Sequence, residues 1–154
     1  MHGKTILTVF VFLCTIVITS CKKTESEPSC TTCAQGGGPG GSPGFNWKTN
    51  GNQSYFADST LFVTSSKMVK AFYQGTTHAL YIKVTSPAVG SYLFGTGTGN
   101  TLSFTKNGVA YAATSGTVSI TKNASGKMSG NFTSYGNSGS ITSLVGDFTD
   151  IEIH

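Results

Sequence analysis

Residues 80–84 read LYIKV and residues 117–121 read TVSIT, and in both stretches every second residue is a branched aliphatic one. A period of two sends successive side chains to opposite faces, so each stretch predicts a half-buried β-strand. Comparable short runs recur from residue 45 to residue 153, and none of them keeps a helical period over three turns. The sequence therefore predicts an all-β domain.

Turn signals separate the predicted strands. Asn50-Gly51 and Asn107-Gly108 each lie between two apolar runs, and both residues of an Asn-Gly pair tolerate the positive φ of tight hairpins. Short strands joined by hairpins predict an antiparallel β-sandwich or a small up-and-down β-barrel of the lipocalin kind, and we expect the sandwich. The predicted strands are 45–49, 53–57, 60–64, 68–74, 79–84, 91–94, 101–105, 109–113, 116–122, 127–135 and 142–153.

The charge pattern of residues 45–154 limits the classes of partner. This segment contains no arginine, and its seven lysines are scattered along the chain among four acidic residues. A nucleic-acid-binding surface needs a basic patch or stripe, so we expect no nucleic-acid partner. At about 110 residues the segment has the length of one domain with its own core.

The N-terminus predicts export and lipid anchoring. Residues 1–20 combine a short basic start with an apolar run over 6–19, which is shorter than the about 20 apolar residues that span a membrane. The run therefore suits a signal peptide. Residues 18–21, ITSC, resemble a lipobox, and this predicts that Cys21 becomes a lipidated N-terminus and joins the protein to the membrane. An ordinary secretory signal is the alternative.

Residues 21–44 predict a disordered tether. They are rich in Gly, Pro and Ser and offer too little apolar surface to offset the entropy cost of ordering. The 23 residues from 22 to 44 would span about 25 Å, which would hold the domain off the membrane. Cys30 and Cys33 form a C-x-x-C motif, for which the oxidising exported setting favours a local disulfide. A redox or metal-binding role and intermolecular pairing are the alternatives.

Catalytic and metal-binding patterns are missing from the sequence. His154 is the last residue, and His78 lies at a predicted hairpin tip, where we expect an exposed imidazole. Asp147, Asp150 and Glu152 could suggest a calcium site, but no loop pattern accompanies them, and strict alternation would turn Asp147 away from the other two. We therefore predict no catalytic residues, no metal and no cofactor.

Aromatic residues are the richer feature, and most of them must lie in the core. Alternation places Tyr81 on the face opposite Leu80 and Ile82, and it separates Phe72 from Tyr73. Exposed rings on a flat sheet can stack on sugars or peptides, so Tyr73 and Tyr81 are candidate ligand contacts. The alternative is that cross-strand aromatic pairs simply cover the sheet.

Three short motifs together resemble those of small Bacteroidetes lipoproteins of unknown function. They are residues 46–51 (NWKTNG), residues 116–121 (GTVSIT) followed by 126–132 (GKMSGNF), and residues 146–148 (GDF). The resemblance covers nearly the whole domain and implies a β fold and an outer-membrane location in the cell envelope. It carries over no catalytic residues. Acidic residues soon after Cys21 resemble a signal for the cell surface, but two lysines come first, so the side that the domain faces stays open.

A second resemblance is local. Residues 58–60, DST, resemble the O-glycosylation sequon of exported proteins in that bacterial group, which makes Ser59 a candidate modified residue. A simple turn before a strand is the alternative.

These patterns leave several functions open. The first expectation is a membrane-anchored, non-catalytic envelope module that binds a glycan or a protein. The second is a carrier of a small apolar ligand, which requires a cavity of at least about 300 Å³ lined by residues such as Leu80, Ile82, Phe104 and Phe132. A structural envelope protein is a further alternative, and the last is an enzyme, which would require a polar pocket with shifted pKa values.

Overall fold

The computed structural model of the chain describes residues 44–154. This part contains no helix long and apolar enough to cross a membrane. The described residues form ten strands: β1 Gly44–Thr49, β2 Gln53–Phe56, β3 Ser59–Val63, β4 Met68–Tyr73, β5 His78–Lys83, β6 Gly90–Phe94, β7 Thr101–Lys106, β8 Val109–Ala124, β9 Lys127–Ser138 and β10 Ile141–Glu152.

The strands belong to one antiparallel sheet, which curls into a half-barrel. Their order is β2-β1-β10-β9-β8-β7-β5-β4-β3, and β6 also pairs with β8. The prediction of an all-β antiparallel fold is confirmed, but the expected two-sheet sandwich is wrong. The physical reason lies in β8, a strand of 16 residues. Its first half pairs with β7 and its second half with β6, while β9 follows its other edge, so the sheet continues without dividing.

Strand β8 merges two predicted strands, 109–113 and 116–122. The chain passes between them in an extended form, with a register shift between Ala113 and Ser115. Gly116 lies just after this shift at φ 127°, and a Cβ there would meet the backbone of Thr133 and Ser134. Glycine therefore lets the strand bend close to β9 without ending.

The two-residue turn between β7 and β8 has the predicted geometry. Asn107 and Gly108 have φ angles of 50° and 81°, and Lys106 pairs with Val109 across the turn. Positive φ at both central residues matches the twist of the flanking strands. The Asn-Gly signal is thus confirmed here.

The curled sheet brings β3 beside the end of β10. Phe62 and Ile153 form an isolated parallel bridge. The Thr64 amide donates to the His154 carbonyl at 2.8 Å, and the His154 amide donates to the Phe62 carbonyl at 2.8 Å. We call this contact the β3–β10 seam.

The inner face of the half-barrel carries one hydrophobic core. Alternate residues of every strand enter it, as period-two burial along β7 and β9 illustrates. The largest buried side chains are Trp47, Tyr111, Phe62, Phe104, Phe132 and Phe148. The intervening residues form an outer face. The kinds of side chain on this face differ between strands β3, β4 and β5 and the rest of the sheet.

Candidate functional site

Several predicted site residues lie outside the described part of the chain. The lipidation candidate Cys21 and the disulfide candidates Cys30 and Cys33 all precede Gly44. These three assignments stay predictions.

Ser59 is the first residue of β3 and is exposed. It borders an open pocket of about 350 Å³, which Asp58, Lys127, Asp150 and Glu152 also line. Asp150 forms an ion pair with Lys122 at 2.6 Å, and the Asp58 carboxylate accepts a bond from the Gln74 amide at 2.5 Å. The candidate glycosylation site is thus accessible.

Tyr73 and Tyr81 lie on opposite faces of the sheet. Tyr73 turns inward and contacts Tyr55 edge-on, with ring centroids 5.6 Å apart. Tyr81 is on the outer face, half-buried, and packs edge-on against Phe72 at 5.9 Å. The two candidate ligand contacts therefore do not form one strip, and Tyr81 belongs to a cross-strand aromatic pair.

The expectation of an exposed His78 is wrong. His78 begins β5 and is only 6% exposed, because its side chain shares the inward face with Leu80 and Ile82. Burial first, and the nearby Lys106 charge second, lower the pKa of His78 below 6.5. The imidazole is therefore neutral at physiological pH. The alternation of 78, 80 and 82 was the signal that could have placed it inside.

His78 belongs to an aromatic cluster at one end of the core. The Tyr55 ring lies 5.3 Å from the Trp47 ring and 5.3 Å from the His78 ring. Trp47 Nε1, Tyr55 Oη and His78 Nδ1 are buried without a hydrogen-bond partner among residues 44–154. Such atoms cost stability, yet all the rings contact one another or Phe104. The cluster is a packed part of the core.

The four residues proposed for a carrier cavity also pack in the core. Leu80, Ile82, Phe104 and Phe132 are each at most 1% exposed and belong to the same buried cluster. Side chains of this cluster fill the space around them, so this region does not favour a carrier.

A row of polar side chains crosses the outer face of strands β6, β8, β9, β10 and β1. The register pairs Ser91 with Ser119, Ser119 with Asn131, Asn131 with Asp147, and Asp147 with Asn46. These five residues come from β6, β8, β9, β10 and β1, and we call them the polar row. Since adjacent strands lie about 4.8 Å apart, the row runs roughly 19 Å across the sheet.

Hydrogen bonds confirm that neighbours in the polar row point the same way. The Asn46 amide Nδ2 donates to Asp147 Oδ2 at 2.9 Å, and the hydroxyl oxygens of Ser91 and Ser119 lie 2.9 Å apart. Phe56 continues the row on β2, opposite Asn46, and its ring is 43% exposed. The polar row thus ends on an accessible aromatic side chain.

Asp147 is the charged centre of the polar row. Partial burial raises the pKa of its carboxyl above 3.8, and the hydrogen bond from Asn46 opposes this shift. A carboxylate can accept about four hydrogen bonds, whereas one side-chain donor, Asn46, reaches it within the described residues. Asp147 therefore has acceptor capacity left for a ligand.

Strand β10 carries three acidic residues, Asp147, Asp150 and Glu152. No group of three His, Cys, Asp or Glu side chains that could hold a metal ion occurs in residues 44–154. An extra residue in β10 between Phe148 and Ile151 breaks the alternation, with Asp150 at φ 50°. Because both Phe148 and Ile151 point inward, Glu152 returns to the face of Asp147. The predicted opposition of those two residues is wrong.

Sequence reasoning missed the polar row. Each member is recognisable as an outer-face residue of its own strand, but the alignment of five strands depends on the cross-strand register. No short-range pattern in the chain encodes that register over such distances.

Comparison with known proteins finds no significant match. No family model, curated protein or solved structure matches the chain. The resemblance to small Bacteroidetes lipoproteins thus stays a prediction.

Proposed function

We propose that the protein is a non-catalytic, lipid-anchored envelope module that binds a glycan on the polar row. The observation that carries this proposal is the placement of Asp147 between Asn46 and Asn131, with the exposed Phe56 ring at the end of the same row. A charged acceptor, two carboxamides and an accessible ring are the groups that recognise hydroxyls and apolar sugar faces.

The polar groups suit the donor and acceptor pattern of a sugar. The Asp147 carboxylate accepts from hydroxyl groups, and carboxamides such as Asn131 both donate and accept. Hydrogen bonds to a charged group are the stronger ones, at about 1.5–3 kcal/mol each. A few such bonds across the polar row would fix the orientation of a bound sugar and contribute to its affinity.

The exposed aromatic ring supports the same ligand class. Phe56 lies beside Asn46 on the outer edge strand β2. An accessible ring next to hydrogen-bonding groups offers a stacking surface for the apolar face of a pyranose.

A protein ligand is the weaker choice for this surface. Protein interfaces are enriched in aromatic residues, Met and Arg and depleted in Ser and Asp. The polar row is made of Ser, Asn and Asp, and residues 45–154 contain no arginine. This composition favours the glycan.

The energetics of Asp147 also support a binding role. A carboxyl whose folded pKa lies above its unfolded value destabilises the fold as pH rises through that interval, and the cost persists at neutral pH. The raised pKa of Asp147 therefore means that the ionised side chain costs stability there. Perturbed pKa values are concentrated at functional sites.

The test compares two carboxylates of the same strand. Binding of the mature protein is measured on an array of defined oligosaccharides and then by calorimetry with the oligosaccharide that binds most tightly. We expect Asp147→Asn to weaken binding by about tenfold or more. The matched control is Asp150→Asn, because Asp150 is committed to Lys122. It should change affinity by less than about twofold.

A stability measurement separates binding from folding. Asp147→Asn should unfold at the same or a higher urea concentration than the wild type at neutral pH. Equal losses of affinity in both variants, or no retained glycan on the array, would refute the proposal.

The anchor is proposed from Cys21. Multiple acyl chains on that cysteine supply the about two membrane signals that stable anchoring needs. Continued membrane association of a Cys21→Ala variant in fractionated cells would contradict the anchor.

A further inference from the structure

The outer face of strands β3, β4 and β5 is apolar, in contrast to the polar row. The register aligns Val63 with Met68 and Leu61 with Lys70, and it aligns Lys70 with Tyr81 and Phe72 with Ala79. The large apolar side chains of this set alternate with core residues such as Phe62, so they point away from the core. We call Leu61, Val63, Met68, Phe72 and Tyr81 the apolar face.

The residues of the apolar face form one continuous surface. All five are half-buried, and they are shielded in part by one another, as the Phe72–Tyr81 ring contact at 5.9 Å illustrates. A contiguous apolar surface of this kind marks a protein or membrane contact. On the polar-row side the outer positions are mixed, since Ser119, Thr133 and Asn131 are polar whereas Tyr135 and Val145 are exposed apolar side chains.

Lysines accompany the apolar face. Lys70 lies within it, opposite both Leu61 and Tyr81, and Lys83 lies opposite Met68. Lys67 precedes β4 and donates from Nζ to the Thr85 carbonyl at 2.9 Å. Long lysine side chains can lie along apolar surface while the ammonium group stays in the polar headgroup layer. Apolar side chains with interspersed lysines complement an anionic lipid surface.

The chain enters the described domain beside the first residues of β3. Gly44, where the tether ends, borders the same pocket as Ser59 and Thr60 of β3. The 23 residues of 22–44 would reach about 25 Å, whereas a strand of five residues such as β3 is only about 17 Å long. A tether anchored in a membrane therefore leaves the apolar face within reach of that membrane.

We propose that the apolar face lies on the lipid surface and forms a second, reversible membrane contact with anionic headgroups. This inference rests on the proposed Cys21 anchor, because weak surface contacts become effective when a first attachment raises the local concentration. It replaces the expectation that the domain stands off the membrane. In this orientation the polar row faces away from the lipid.

The experiment uses the full lipidated protein in phosphatidylcholine vesicles with or without phosphatidylglycerol. A membrane-impermeant amine acylating reagent is applied, and the rate at each lysine is read by mass spectrometry. Lys48 is the internal control, since it is exposed on the outer face of β1. We expect Lys70 and Lys83 to react at least about fivefold more slowly in the vesicles with phosphatidylglycerol than in those without it, and Lys48 to change by less than about twofold.

A pair of outer-face variants tests the cause of protection. Met68→Glu places a carboxylate in the apolar face and should restore fast acylation of Lys70 and Lys83. Thr133→Glu places the same group on the polar-row side and should leave their protection intact. Both residues point away from the core, so neither variant fills or empties it.

The outcomes separate the contact from the anchor. Protein that fails to float with vesicles contradicts the Cys21 anchor. Protein that floats but shows the same acylation change at Lys70, Lys83 and Lys48 overturns the membrane-facing role. Protection that appears only at high protein density, independent of phosphatidylglycerol, would also overturn it and indicate a second copy or another protein on this face.

Discussion

His78 and Asp147 are titratable side chains whose environments move their pKa values in the directions that disfavour charge. His78 enters the aromatic cluster with its Nδ1 unpartnered among the described residues, and Asp147 is partly buried in the polar row. The histidine faces inward and the aspartate outward. The first is a core residue, and the second is the proposed ligand contact.

The pH dependence of folding stability should report the burial of His78. Its folded pKa is lowered from 6.5, so the unfolded chain binds more protons as pH falls through 6.5 toward the folded pKa. Stability is fully present above 6.5 and declines below it. Urea unfolding at about pH 7.5 and about pH 5.5 should show a smaller stability difference for His78→Phe than for the wild type.

His154 provides the control for that measurement. Its side chain is 61% exposed and lies 3.5 Å from Glu152 Oε2, so His154→Gln shows how much of the wild-type pH dependence comes from the other histidine of residues 44–154. An unchanged pH dependence in His78→Phe would contradict the burial of that imidazole.

At the scale of the element, β8, β9 and β10 are long strands whose registers shift where an extra residue is inserted. Shifts occur in the β8–β9 and β9–β10 pairings, and they increase local twist and let a sheet curl. Two glycines of the central strands, Gly130 and Gly146, leave space for the rings of Phe148 and Phe132. Small residues in β9 and β10 therefore accommodate large ones on neighbouring strands.

Gly130→Ala should lower the free energy of unfolding by about 1–3 kcal/mol. A Cβ on Gly130 would clash with the Ser119 carbonyl oxygen and would stand 2.5 Å from Phe148 Cζ. Chemical denaturation provides the measurement. Thr121→Ala is the control, because Thr121 is exposed on β8, and it should change stability by less than about 0.5 kcal/mol. Similar effects of the two substitutions would show that β9 is not closely packed at Gly130.

At the scale of the whole molecule, the β3–β10 seam joins the edge strand β3 to the end of β10 and so stabilises the curled form of the half-barrel. The last two residues supply hydrogen bonds between His154 and the backbone of Phe62 and Thr64, and Ile153 donates to the Gly126 carbonyl at 3.0 Å. Ile153 also packs on the core. Removing Ile153 and His154 thus weakens both the hydrogen bonds of the β3–β10 seam and the packing of the core.

Deletion of Ile153 and His154 should destabilise the fold by about 2–4 kcal/mol, since each lost hydrogen bond contributes about 0.5–1.5 kcal/mol. Hydrogen exchange should accelerate at the Thr64 amide more than at the Phe132 amide in the centre of the sheet. Glu152→Gln retains the backbone and should leave both rates near those of the wild type. Uniform acceleration at both amides would mean that the seam is not a separate unit of stability.

The sequence by itself determined the strands, most of their boundaries and the tight turn at Asn107-Gly108, because alternation and turn chemistry depend on neighbouring residues. It also assigned inward and outward positions in residues 80–84, but it misplaced His78, which continues the same alternation into the core. It failed at Asp147 and Glu152, since an inserted residue resets the faces without a local signal.

Only the tertiary structure decided that the sheet stays single, which strands are neighbours and which outer residues share a row. These properties depend on pairing between segments far apart in sequence, such as Asn46 with Asp147. The same alternating pattern is compatible with a sandwich, a barrel or a half-barrel, because each of them buries one face of every strand. The polar row and the apolar face are products of that long-range register.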